Sequence, residues 1–266
     1  MTSVLDTART TYQNRLIMSG EGIEERLDKR EGAISGMFNE IAPKYDFINH
    51  LLSLNIDVLW RKRAIAFLKR CKSKRTRVAP FKVIDIACGT GDSTIALYKN
   101  GIAATGIDIA QGMLDIAIEK NGKLPGNGTP LPEYINASAE NIPFGDETFS
   151  AATICFGIRN FDNRGNCLKE IYRVIEKGGN IAVLEFAEPR NKIMKPLYSI
   201  YLNHILPAIG GMVSKKRSAY KYLALSIEKF PKYGDFCSEL SAAGFKEVKY
   251  RALTGGVALL YTGKKS

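Results

Sequence analysis

Residues 83–92 read V-I-D-I-A-C-G-T-G-D, and the fold follows from how this stretch is parsed. Val83, Ile84, Ile86 and Ala87 form a short apolar run with the length and β-branched content of a buried parallel strand, broken by one acid, Asp85. Gly89-Thr90-Gly91 then permits a tight turn in which backbone approaches a ligand with no Cβ in the way. Asp92 or Ser93 is placed to cap a helix that begins near Thr94. Strand, glycine turn and helix N-terminus in succession make the nucleotide-binding corner of a doubly wound sheet.

Downstream of this corner, apolar runs at 104–109, 134–137, 150–156, 180–186, 246–252 and 257–262 read as strands. Helical spacing recurs over 93–99, 113–120, 168–174, 218–230 and 236–243. The tract 121–132 is a glycine- and proline-rich surface loop, and Glu176-Lys177-Gly178-Gly179 is a turn that launches the strand at 180. Strands alternating with helices predict an α/β protein: a doubly wound, mostly parallel seven-stranded sheet with helices on both faces. Upstream, residues 1–33 are a polar extension. From Ile34 a helical pattern (Met37, Phe38, Ile41, Ala42) runs until Pro43 interrupts it, and a basic helix follows around 60–70. Residues 34–266 therefore read as one domain, with 34–72 as a helical cover. An apolar, aromatic insertion at 194–211, broken by two prolines, lies within a lid spanning 190–232.

The 266 residues are 45% hydrophobic, enough for one sizeable core with an appended layer. Lys+Arg 38 against Asp+Glu 27 gives +11, concentrated at 61–77 and 215–217, which suits an anionic partner such as an acidic membrane surface or a nucleic acid. The five cysteines are scattered without a C-x-x-C pair, a pattern that argues against a zinc site or disulfide framework and fits a reducing cytosol. No run reaches the roughly 18 apolar residues of a spanning helix. The expectation is a cytoplasmic protein, with contact at the inner face of the plasma membrane.

Asp108 ends the second strand 19 positions beyond Gly89, where its carboxylate can accept hydrogen bonds from both hydroxyls of a ribose. A dinucleotide is disfavoured, because the loop lacks the G-x-G-x-x-G form and because Asp85 and Asp92 would crowd a pyrophosphate. Acids on both sides of the turn suit a ligand that is cationic there, such as S-adenosylmethionine. Met113, one turn beyond Asp108, is placed to pack on an adenine face. Ser138-Ala139-Glu140 ends the third strand and can meet the adenine edge, and Cys155-Phe156-Gly157 closes the fourth at the carboxyl edge of the sheet.

Further segments make the pattern narrower: M-F-N-E-I-A-P-K-Y-D-F-I-N at 37–49, L-W-R at 59–61, A-E-N-I-P-F at 139–144, F-G-I-R-N at 156–160, Y-R-V-I at 172–175, V-L-E-F at 183–186, L-P-A-I-G at 206–210, Y-K-Y-L at 220–223 and L-T-G-G-V-A at 253–258. With D-I-A-C-G-T-G-D, these resemble the menaquinone/ubiquinone biosynthesis C-methyltransferase family from about residue 37 to 264. The chain departs from that family's pattern at Cys88, where glycine is common, and at Cys155, where serine is.

The resemblance implies a class I S-adenosylmethionine-dependent methyltransferase that methylates demethylmenaquinol or, alternatively, a 2-polyprenyl-6-methoxybenzoquinol. It places Thr90, Asp108, Ser138, Ala139 and Cys155 at the cofactor beside the loop residues Asp85, Gly89, Gly91 and Met113. It places Tyr45, Arg159 and Asn160 at the quinol. The reaction asks for a phenolic proton to leave, in-line approach of the ring carbon to the methyl group, and loss of the ring proton. Tyr45, His50 and His204 are candidate proton carriers; Arg159 is a poor proton acceptor and is expected to stabilise a phenolate and polarise a water. The insertion would cover an isoprenoid tail, and no residue spacing suits a metal. A base methyltransferase is disfavoured because no Asn/Asp-Pro-Pro-aromatic segment follows the fourth strand, and a non-catalytic binding module is disfavoured by Arg159-Asn160. A homodimer is left open.

Overall fold

The computed structural model describes residues 28–75, 79–201 and 217–266. Helices α1 (Glu31–Leu52) and α2 (Ile56–Lys74) precede β1 (Lys82–Ile86). Then follow α3 (Asp92–Lys99), β2 (Ala103–Asp108), α4 (Gln111–Asn121), β3 (Glu133–Asn136) and β4 (Phe149–Cys155). A short 3-10 turn (Ile158–Asn160) leads to α5 (Arg164–Val174), β5 (Ile175–Phe186) and α6 (Met194–Ile200). The chain closes with α7 (Arg217–Lys229), α8 (Gly234–Ala242), β6 (Lys246–Leu253) and β7 (Ala258–Lys264).

The seven strands form one sheet in the order β3-β2-β1-β4-β5-β7-β6. The first five run parallel, and β7 is antiparallel to both β5 and β6. Strand order reverses between β1 and β4, so the crevice beyond their carboxyl ends is where an open sheet of this kind binds its ligand. The buried strands are apolar on both faces, as parallel strands covered by helices must be. Ile84, Ile86, Ile107, Ile154 and Val183 pack on one side with Leu168 and Ile171 of α5 and Phe236 and Leu240 of α8. Val83, Ala104, Ala151, Ala182 and Leu184 pack on the other with Trp60, Ala64 and Leu68 of α2 and Leu97 of α3. Leu68 is fully buried, a burial that stabilises by about 2–3 kcal/mol.

Three local expectations are corrected. Pro43 does not interrupt the first helix, which continues through it. A proline inside a helix costs about 3 kcal/mol, but Phe38, Ile41, Ala42 and Tyr45 on both sides of it pack against Ala110, Met113 and Ile116, and that packing holds the helix together. The cap of α3 is neither Asp92 nor Ser93: Gly91, at φ 83°, occupies the cap and both residues lie inside the first turn. The Gly178-Gly179 turn sits within β5 as an irregularity between the Phe149–Ile175 and Ala151–Asn180 pairs, with Gly178 at φ 79°.

Candidate active site

The cleft at the switch point is bordered by strained backbone. Ala87 (φ 52°) follows β1 and Phe156 (φ 64°) follows β4, both in the left-handed region that side chains avoid. Gly157 follows because nothing larger fits: a Cβ there would meet the Ala87 Cβ at 2.6 Å. The two strand ends stay in close contact here, and the cleft they border has a volume of about 740 Å³, mouth included. Of the residues expected at a site, Tyr45, Gly89, Asp108, Met113, Ala139, Cys155 and Asn160 line it.

Gly89 faces the cleft, and a Cβ would come 3.9 Å from the Tyr45 ring. Its N–H donates to Asp108 Oδ2 at 2.8 Å, while Ala110 N–H donates to Oδ1 at 2.9 Å. The carboxylate thus ties the β1 and β2 loops together. Burial pushes its pKa up, against these backbone donors. Phe38, Ile107 and Met113 supply an apolar wall in the same cleft. A bare glycine floor, a carboxylate on the rim and an apolar wall fit a nucleoside bearing a compact cationic group.

The remaining loop residues lie behind this surface. Asp85 is buried, accepts from Thr94 Oγ1 at 2.6 Å, and has its pKa pushed up to about 7 by burial. It therefore supplies no fixed negative charge at the cleft wall; it fastens β1 to α3. Gly91 points away, toward the Tyr134 hydroxyl, 2.6 Å from where its Cβ would be. Thr90 donates to Asp46 Oδ1, and Asp46 Oδ2 pairs with Lys120, which also reaches Asp92 at 2.8 Å. Ser138 bonds Glu31 and accepts from Glu140 N–H. Both hydroxyls are thus engaged by α1, which also donates from Ser35 Oγ to Ile109 O. His50 belongs to a polar knot between α1, α2 and α3, with Nδ1 on Asp57 and Nε2 3.6 Å from Asp92. His204 lies outside the described residues, as does most of the insertion it belongs to.

Arg159 and Asn160 sit on the 3-10 turn after β4, both buried. The Arg159 guanidinium donates to Phe156 O at 2.5 Å and to Glu185 Oε1 at 2.7 Å, and lies 5.5 Å over the Phe186 ring. Asn160 Oδ1 accepts from the Tyr222 hydroxyl of α7 at 3.2 Å. Lys29 donates to Arg159 O at 2.6 Å and lines the cleft; burial, then Arg164 and Arg159, lower its pKa to about 8. Burial raises the Tyr45 pKa, with Arg159 opposing.

Asp46, Glu185, Tyr222 and Lys29 were not among the residues expected here. Glu185 carried a readable signal, since a lone acid inside an apolar strand must find a buried partner. Asp46 and Tyr222 are single letters within quoted motifs, and nothing local distinguishes them from their neighbours.

This strand order, with a glycine-turn cleft and a rim carboxylate after β2, is the architecture of class I S-adenosylmethionine-dependent methyltransferases. Residues 26–265 match the model of the ubiE/COQ5 methyltransferase family, and the chain belongs to that family. It is 38% identical over 243 residues to the ubiquinone/menaquinone biosynthesis C-methyltransferase UbiE of Geobacter sulfurreducens, covering 90% of this chain and 91% of that one. It is 40% identical over 238 residues to the demethylmenaquinone methyltransferase of Chlorobaculum tepidum, covering 89% and 94%. In fold it is similar to a SAM-dependent methyltransferase of Thermotoga maritima (TM-score 0.55, 18% identity, 87% and 99% covered). It is also similar to the Haemonchus contortus phosphoethanolamine N-methyltransferase 2 solved with S-adenosyl-L-methionine (TM-score 0.55, 13% identity, 77% and 52% covered). The protein is a methyltransferase with S-adenosylmethionine as its cofactor.

Proposed function

We propose that the protein methylates a ring carbon of demethylmenaquinol, completing menaquinol. The observation that carries this reading is the family match together with Arg159 and Asn160 on the turn after β4, where Asn160 lines the cleft and is bonded by Tyr222 of α7. The names of the relatives, demethylmenaquinone methyltransferase among them, support the substrate. Gly89, Asp108, Met113, Ala139 and Cys155 are the residues proposed to hold the cofactor, with Asp85, Thr90, Gly91 and Ser138 keeping the loops in place behind them. When bound, S-adenosylmethionine supplies an electrophilic methyl group.

The protein's part is orientation and charge. Arg159 is paired with Glu185 and donates to Phe156 O, so its part is to hold the turn that presents Asn160 to the cleft. That role is less direct than the expected stabilisation of a phenolate and polarisation of a water. Tyr45 keeps its proton, because burial raises its pKa, and acts as a donor. Exposed Phe47, Leu54 and Leu59 beside the basic residues Lys62 and Arg63 support a second proposal, transient contact with an anionic bilayer from which a polyprenyl substrate is drawn.

The test is transfer from labelled S-adenosylmethionine to reduced demethylmenaquinone, to the methoxybenzoquinol precursor and to tRNA, with Arg159→Ala alongside. Transfer to the naphthoquinol, lost in the variant, is expected. Preference for the benzoquinol would move the protein to ubiquinone biosynthesis, and label only in tRNA would overturn the reading.

A further inference from the structure

We propose that Tyr222 is a positioning residue that fixes the side-chain amide of Asn160, so that the cleft is offered the amide N–H pair and selects a ring oxygen in its ionised form. This rests on the quinol reading above. Asn160 is 7% exposed and lines the cleft, and its carbonyl oxygen is taken by the Tyr222 hydroxyl at 3.2 Å. An amide has one acceptor end and one donor end. With Oδ1 held by the tyrosine, the end left for the cleft is Nδ2. Both a neutral phenol and a phenolate accept from that donor, and the charge-assisted bond to the oxyanion is about twice as strong.

The tyrosine is suited to this task and to no proton transfer. Burial pushes its pKa up to about 12, so the O–H remains a donor and holds the amide one way round. Its helix is carried over the turn by Leu223 and Ile227, which pack with Tyr198 and Phe186 independently of the hydroxyl. Tyr222→Phe therefore removes the hydrogen bond and leaves the packing. The nearby cation does not replace the amide, because Arg159 is already committed to Glu185 and Phe156 O.

Two readouts test this on the full-length protein. In steady-state methylation, Tyr222→Phe is expected to lower kcat about tenfold with KM for S-adenosylmethionine unchanged. That is less than the roughly hundredfold or more that outright loss of such a donor costs, because the amide stays in place but is no longer held one way round. In direct titration, 2-hydroxy-1,4-naphthoquinone, ionised at neutral pH, is expected to bind several-fold more weakly to Tyr222→Phe and more weakly still to Asn160→Asp. The uncharged 1,4-naphthoquinone, whose carbonyls accept more weakly, should lose clearly less than the ionised ring in both variants. Equal loss for charged and uncharged rings, or a Tyr222→Phe enzyme within twofold of the parent, would overturn the proposal and leave Tyr222 a packing residue. If the parent methylates neither quinol yet discriminates the two probes through Tyr222, the amide assignment stands and the substrate reading falls.

Discussion

Glu185 shares no solvent, and its carboxylate is satisfied by the Arg159 guanidinium, the Arg159 N–H and the Phe186 N–H. Truncating it to alanine leaves a buried arginine unpaired, which costs about 3–5 kcal/mol. Glu185→Ala is expected to lower the denaturation midpoint accordingly, and Glu185→Gln, which keeps the acceptor oxygen, by less; chemical denaturation with activity assays reads both. Asp85 behaves differently because burial, with Asp108 adding to it, outweighs the Thr94 hydrogen bond and the pull of Arg61. Its pKa near 7 exceeds the roughly 3.9 of an unfolded aspartate. Between those values the folded chain holds a proton that the unfolded chain releases, so stability falls as pH rises from about 4 to 7 and then levels. Asp85→Asn keeps the acceptor for Thr94 and should flatten that part of a Tm-against-pH curve. A parent curve already flat there would contradict the assignment.

Each strand-end loop that shapes the cleft is held by α1. Asp46 holds the loop after β1, Ser35 the loop after β2, Glu31 the loop after β3 and Lys29, just ahead of the helix, the turn after β4. Ordering those loops without ligand removes an entropic cost from cofactor binding. Asp46→Asn loses the Lys120 ion pair and weakens the Thr90 bond, and calorimetry should find S-adenosylmethionine bound about fivefold more weakly, or close to 1 kcal/mol. At the other side of the cleft, Gly157→Ala forces a Cβ to within 2.6 Å of Ala87, between two backbones already strained. Overpacking of this kind costs about 1–3 kcal/mol, and the larger effect is expected on activity, since β1 and β4 must move apart where the cofactor would lie.

At the scale of the whole molecule, the α1–α2 corner brings exposed apolar residues next to cations. No helix among the described residues is long and apolar enough to cross a membrane. The corner between α1 and α2, where Leu54 and Asn55 both take positive φ, exposes Leu54 (76%) and, one turn into α2, Leu59 (57%). Lys62 and Arg63 follow on the same helix. Burial of two leucines in a lipid interface with two nearby cations is worth a few kcal/mol, about 1 for each cation at an anionic surface. Co-sedimentation with phosphatidylglycerol vesicles is expected, weakened by salt and by Leu54→Glu with Leu59→Glu. Binding indifferent to salt and to both substitutions would remove the bilayer from the account.

The sequence by itself determined the sheet and its cleft corner. Short β-branched runs alternating with helical spacing leave few arrangements other than a doubly wound sheet, and Gly89-Thr90-Gly91 with Asp108 marks the loop because those features are local in the chain. The tertiary structure decided which side chains face a ligand. Asp85, Thr90 and Gly91 stand in the glycine motif and Ser138 ends the third strand, yet they are turned inward or tied to α1, since Thr94, Asp46, Tyr134 and Glu31 meet them by packing and not by spacing. The same reason hid Glu185 behind Arg159 and Tyr222 behind Asn160: contacts across 26 and 62 positions leave no periodic trace. Pro43 shows the limit from the other direction, a strong local breaker overruled by the apolar face that α1 buries on α4.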